Sequence, residues 1–354
     1  MSLGKFVRTT MKGVTINPMK KLLWIYAILI GTFILYVVQY HTREVSSRAG
    51  GAHDGLRGEI GEKYVMVTFQ SGMEYWKSSL KGFEDAAQAL NVSVEYRGAT
   101  QYDVHEQITV LEQVIAKKPE GIALSAIDPV RLTAAINKAV DAGIPVVLFD
   151  SGAPESRALS FLSTDNYNAG VTAARKMAEL LGGQGETAVV TLPGQLNHEE
   201  RKQGFIDTLH KEYPQIRLQS VKDGRGDRIY SKLAAADILK EFPEVDGIFA
   251  TEANGGVGVG EAVQEAEAAG KVKIIGFDTD KDTLDMVKKG AISATLAQGT
   301  WNMGYWSLQF LFHQHHGLAG PGGGTKAAAS SLPRNVDTGI TVVTGDNVEQ
   351  FYAK

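Results

Sequence analysis

From Lys63 onward, short runs of β-branched and other apolar residues alternate with amphipathic stretches of ten to sixteen residues. The runs cover 64–69, 92–96, 121–125, 145–149, 159–162, 187–192, 216–221, 247–250, 272–277 and 292–297. Between them, the stretch 104–117 places Ile108, Leu111, Val114 and Ile115 on one helical face, and 232–240 and 283–288 repeat that pattern. Strand followed by helix, repeated, predicts parallel sheets with helices on both faces. The nearly continuous apolar strands predict burial from both sides. About ten strands exceed one comfortable sheet and predict two sheets of five or six.

A different pattern precedes this body. Residues 22–38 (LLWIYAILIGTFILYVV) are apolar or weakly polar throughout, and the uncharged stretch continues to Tyr40. A helix of that length reaches about 26 Å, close to the ~30 Å hydrocarbon core of a bilayer. Lys5, Arg8, Lys12, Lys20 and Lys21 stand before it, with no acidic residue in 1–21. That charge bias predicts a cytoplasmic N-terminus (1–21), a transmembrane signal anchor (22–40) and everything later outside. A cleaved secretory signal is the competing reading. It needs a shorter apolar region and a small-x-small site close behind, whereas the nearest such triplet, Ser47-Arg48-Ala49, lies several residues too far on. The uncleaved anchor is favoured, and either reading places the body outside the cytoplasm. Residues 41–61 are polar, Gly-rich and without apolar period, a flexible linker.

Composition narrows the function. The 354-residue chain is 44% hydrophobic and 21% charged, which is globular, and its length predicts two domains. It has no Cys, so disulfides, thiolate nucleophiles, Cys-bound zinc and lipid attachment through an N-terminal cysteine are excluded. The net charge of −4 divides into +5 over residues 1–61 and −9 over the rest. An acidic body is a poor partner for nucleic acid.

Open α/β sheets bind ligands beyond the carboxyl ends of their strands. Those positions hold Tyr75 and Trp76 after the first run, Asp150 and Ser151 after 145–149, and Glu252 after 247–250. Asp278 follows 272–277, and Gln298 follows 292–297. Carboxylates and amides make several hydrogen bonds each, and an aromatic face offers a flat apolar plate. Together they suit a small, neutral, polyhydroxylated molecule. Asp150 and Asp278 taken singly read equally well as helix caps, but Glu252 and Gln298 are poor caps. Catalytic motifs are wanting: there is no phosphate-binding loop, no H-E-x-x-H and no G-x-S-x-G, and Gly256, Gly258 and Gly260 lack the dinucleotide spacing. His313, His315 and His316 read as a solvated helix end rather than a metal site. No cofactor is implied, and the chain is not expected to be an enzyme.

From Tyr64 to about Tyr352 the sequence resembles the type I periplasmic sugar-binding proteins, the ribose/galactose-binding group of ABC-transporter solute receptors. The resemblance rests on YWKSSLKGFEDAA (75–87), AIDPVRLTAAINKAVDAGIPVVLFDS (126–151), STDNYNAG (163–170), ERKQGF (200–205), FPEVDGIFATEANGGVGVGEAV (242–263), KIIGFD (273–278) and ISATLAQ (292–298), in order. It implies two doubly wound parallel-sheet lobes joined by three crossings: 62–164 plus 299–330, and 165–298 plus 331–354. The crossings are expected near Thr164-Asp165, near Gln298-Gly299, and in the Gly-rich region after Gly317 and before 338–343. By motif, Tyr75 and Trp76 match an aromatic pair that packs on the sugar, Asp150 a first-lobe acceptor, and Arg201, Asp278 and Gln298 a second-lobe set. The sequence departs from the ribose pattern at Ser151, Glu252, Gly226 and Met73. Those departures shift the expectation toward a hexose, a polyol or an amino-sugar. The implied partners are a monosaccharide or polyol and an ABC permease, or alternatively the sensor domain of a histidine kinase, with the protein acting as a monomer.

Overall fold

The computed structural model describes residues 29–36, 56–318 and 332–352. The chain divides into two units, 1–56 and 57–354. In the first, residues 29–36 are helical (α1) and carry exposed apolar side chains, among them Leu29, Phe33 and Leu35. The remainder of the expected 22–40 span lies outside the described residues, and among those described no helix is long and apolar enough to cross a membrane. The linker ends earlier than expected. Residues 57–61 belong to the second unit, where the Gly58 amide donates to Leu90 O at 2.8 Å.

The second unit contains two six-stranded sheets. In the first, β1 (Lys63–Thr68), β2 (Ser93–Gly98), β3 (Gly121–Leu124), β4 (Val146–Phe149), β5 (Ser160–Ser163) and β11 (Asn335–Asp337) lie in the order β11-β5-β4-β3-β1-β2. In the second, β6 (Gly185–Thr191), β7 (Ile216–Asp223), β8 (Gly247–Ala250), β9 (Lys273–Phe277), β10 (Ala294–Gln298) and β12 (Ile340–Val343) lie in the order β12-β10-β9-β8-β6-β7. All pairings are parallel except β10 with β12. Both sheets repeat one winding, in which the strand order reverses between β1 and β3 and again between β6 and β8. A reversal of this kind opens a crevice at the carboxyl ends of the strands. Strands β3, β4 and β8 are buried at every position, because helices cover both faces.

Glycine sets the helix packing. In the first lobe α2 (Trp76–Leu90) packs on α10 (Thr300–His315), and in the second α5 (Asn166–Leu181) packs on α6 (Leu196–Glu212). A Cβ on Gly82 would fall inside contact distance of Trp301 O, and one on Gly304 inside that of Ser79 O. Gly170 and Gly204 stand in the same relation to Arg201 O and Tyr167 O. Each pair lets two helix backbones meet without side chains between them.

Among the described residues the chain passes between the sheets after β5, after β10 and after β11. The first two passages fall at 164–165 and 298–299. The third falls at Thr338 and Gly339, not at 330–331, because β11 pairs with β5 and keeps residues 335–337 in the first lobe. The crossing segments bond to one another: Thr338 N to Ser163 O (2.9 Å) and Gly299 N to Gly339 O (3.2 Å).

Candidate functional site

The carboxyl ends of both sheets face a common cleft. Tyr75, Trp76, Asp150, Arg201, Glu252, Asp278 and Gln298 all line it.

Two aspartates reach the cleft by the same local device. Asp150 follows β4 and Asp278 follows β9, and both take a left-handed backbone conformation, φ 59° and 66°. Asp tolerates that region better than most residues. Each is pinned by its amide to the neighbouring strand, Asp150 to Leu162 O (3.0 Å) and Asp278 to Leu296 O (2.8 Å). Ser151 follows the turn at Asp150. Ser151 is fully buried behind the turn, its carbonyl accepting from Ala126 N at 2.9 Å, and it does not line the cleft.

Arg201 is among the largest buried side chains of the described residues. Its Nε donates to Asn166 Oδ1 (2.9 Å), Nη1 to Thr251 O (2.8 Å) and Nη2 to Gln298 Oε1 (2.9 Å), while the guanidinium lies 3.7 Å from the Phe277 ring centroid. Three of about five N–H donors are thus spent, leaving one on each terminal nitrogen for a ligand. Burial lowers its pKa, opposed by Asp278, Tyr75 and Asp150, and the group stays cationic.

Gln298 joins the halves of the site. It donates through Nε2 to Asp278 Oδ1 (2.8 Å) and to the Tyr75 hydroxyl (3.2 Å), and its oxygen also accepts from Thr164 Oγ1 (2.8 Å). Tyr75 in turn donates to Asp150 Oδ1 at 2.6 Å, and Ser125 Oγ to Asp150 Oδ2 at 2.8 Å. Tyr75 is therefore a polar link as well as a ring. Trp76 is anchored by Nε1 to Phe69 O (2.9 Å) and packs edge-on against Phe69, Tyr75 and Phe149, giving the cleft an apolar wall.

Burial away from water pushes Asp278 and Glu252 each up to about 7, against the pull of hydrogen bonds and Arg201. Asp150 is raised for the same reason, partly offset by Tyr75 and Ser125. Glu252 accepts from Ser231 Oγ and from Asn254 N, both at 3.1 Å, so much of its acceptor capacity is met by its own lobe.

Sequence reasoning missed several residues of the wall. Phe69, Tyr102 and Leu192 add apolar surface, and Gln195, Asn197 and His198 add polar groups from the start of α6. The available signal for the last three was their position just beyond β6, at the carboxyl end of its strand. His315 and His316 lie at the end of α10 against Glu62, with ligand atoms of the three within 4.8 Å of one another, and His316 Nε2 is 2.9 Å from Glu62 Oε2. His313 instead bonds Gln309 O at 2.6 Å.

The comparisons agree with this architecture. Residues 63–317 match the family model described as "Periplasmic binding protein domain". The sugar-binding protein of a sugar ABC transporter from Bacillus halodurans is 66% identical, with a TM-score of 0.78 over 82% of this chain and 100% of that one. An arabinose binding protein from Geobacillus stearothermophilus is 66% identical, with a TM-score of 0.75 over 82% of this chain and 99% of that one. The D-allose-binding periplasmic protein of Escherichia coli is 27% identical over 70% of this chain and 83% of its own length. With two wound lobes, a polar cleft at their carboxyl ends and a family match across the body, the chain belongs to the periplasmic binding protein domain family, in its type I sugar-binding group.

Proposed function

We propose that the protein is an extracytoplasmic receptor for a neutral monosaccharide of the arabinose class, held between the lobes and passed unchanged to an ABC permease. One observation carries this reading. Asp150 from the first lobe and Arg201 and Asp278 from the second share a cleft with an aromatic wall, linked through Tyr75 and Gln298. A hydroxylated ring can donate to the carboxylates, accept from the guanidinium and lay its C–H face on Trp76. The 66% identity to an arabinose binding protein supports a pentose. The hexose expectation rested partly on Glu252 as a new acceptor for the ligand, and that ground weakens once Ser231 and Asn254 occupy its oxygens.

Residues 22–40 then serve as the tether, with the basic residues of 1–21 inside. A permanently anchored receptor also suits a second reading, a sugar sensor that signals to a histidine kinase. What favours it is the length of the apolar run and the lack of a small-x-small site close behind. Titration calorimetry of the full chain with L-arabinose, D-arabinose and other monosaccharides tests the site. One sugar should bind tightly and be recovered chemically unchanged; absence of heat with every monosaccharide, or recovery of a product, contradicts the reading.

A further inference from the structure

One cluster of metal-ligating side chains lies away from the cleft. Glu62 stands just before β1, at the amino end of the first sheet, and His315 and His316 end α10. The cleft opens at the opposite, carboxyl ends of the strands. In the sequence, His313, His315 and His316 read as a solvated helix end. Folding sets His313 aside on Gln309 O and brings in Glu62, 254 residues from His316 along the chain. One ligand atom from each of Glu62, His315 and His316 lies within 4.8 Å of the others, and His316 Nε2 is 2.9 Å from Glu62 Oε2. Neighbouring groups hold all three in place. Glu62 Oε1 accepts from Glu59 N at 3.0 Å. The His315 ring packs edge-on against the buried Tyr64 ring, with centroids 6.2 Å apart, and the His316 ring lies 4.1 Å from that of Phe312. Glu62 is partly buried and both histidines are exposed, so an ion can reach them from solvent.

We propose that Glu62, His315 and His316 bind one divalent transition ion, zinc in particular, with water completing its shell. Two imidazoles, one carboxylate and a water make a common zinc set, whereas calcium and magnesium take oxygen ligands. An ion held at about 2.0–2.2 Å from each ligand atom draws the three closer together, and the exposed imidazoles are free to turn toward it. It takes the place of the proton shared by His316 and Glu62. The Glu59 amide keeps the carboxylate aimed, as outer partners of metal ligands do. The carbonyl end of α10 adds a favourable partial charge beside the cation. Glu62 lies near the start of the unit 57–354, and the two histidines close the helix that packs on α2, so the ion clips together distant parts of the first lobe's chain. A clip that closes so long a loop stabilises the fold by restricting the unfolded chain. The site is independent of what the cleft holds.

The test is titration calorimetry and thermal unfolding of the full chain, without added histidines, using zinc chloride alone as the probe. Wild type should take up one zinc per chain and should melt at a higher temperature with zinc than after treatment with a chelator. His316→Ala and Glu62→Gln should each lose at least about tenfold in zinc affinity, together with the zinc-dependent rise in Tm. His313→Ala should keep both. Glu62→Gln retains an oxygen for the Glu59 amide, so it removes the ligand charge without dismantling the local turn. Calcium and magnesium chloride at the same concentrations should produce neither binding heat nor a shift in Tm. Absence of zinc uptake by wild type overturns the site. So does zinc uptake that His316→Ala and Glu62→Gln leave unchanged, or binding of calcium as tight as that of zinc.

Discussion

Arg201 shows how far a single side chain in this cleft serves two masters. It is buried and fixed by Asn166, Thr251 and Gln298, so its removal takes a donor from three interior acceptors and leaves Asn166 Oδ1 without one, while Thr164 still donates to Gln298. Arg201→Ala should abolish sugar binding and also lower stability by about 3–5 kcal/mol in denaturant titration. A variant that loses affinity at unchanged stability contradicts that dual role. Asp150→Asn is the cleaner probe, since an amide oxygen can still accept from Tyr75; affinity should fall at least about tenfold at nearly unchanged stability. Glu252 supplies a pH signature. Its folded pKa of about 7 stands above the 4.5 of the free side chain, because burial disfavours the charged form. The folded protein then holds a proton that the unfolded chain has released. This contribution to stability is complete below about pH 4.5 and is lost as pH rises through about 7, on the order of 3 kcal/mol in all. Glu252→Gln should accordingly flatten the stability profile between pH 5 and 8 and exceed wild type at the alkaline end. An unchanged profile would show that Glu252 is ionised throughout.

At the scale of elements, the glycine contacts between α5 and α6 decide where Arg201 sits. Gly170→Ala or Gly204→Ala forces the two backbones apart, and overpacking of this kind costs about 1–3 kcal/mol. Each variant should also weaken sugar binding, as measured by calorimetry, although neither residue lines the cleft. A destabilised variant with wild-type affinity would uncouple the helix pair from the site. The alternation of strand and helix was legible in sequence because burial on both faces writes itself into continuous apolar runs such as 247–250, which matches β8. Which side chain beyond a strand reaches the cleft was less legible. Asp150 and Asp278 line it, whereas Ser151, directly after the left-handed Asp150, is buried and is not part of the lining. His198 escaped notice as well. Its approach to the cleft depends on the rotation of α6, which the glycine contacts with α5 fix and no local pattern reports.

Across the whole molecule, the two lobes are joined by crossings that bond to one another and by the Gln298–Tyr75 hydrogen bond spanning the cleft. Two of those crossings were legible from motif, but the third was not. A Gly-rich stretch suggested it, whereas strand pairing between β11 and β5 moves it to Thr338 and Gly339. Contacts to a sugar from both lobes exist together only when the lobes are closed, so ligand binding should favour that state. A tight sugar at one hundred times its dissociation constant should add about 2.7 kcal/mol to stability in a thermal-shift assay. The most direct measurement is a crystal structure of the protein grown with its tightest-binding sugar. The account predicts one monosaccharide between the lobes, within hydrogen-bond reach of Asp150 on one side and of Arg201 and Asp278 on the other, with Trp76 against its ring. A sugar held by one lobe alone, or bound outside this cleft, would contradict it.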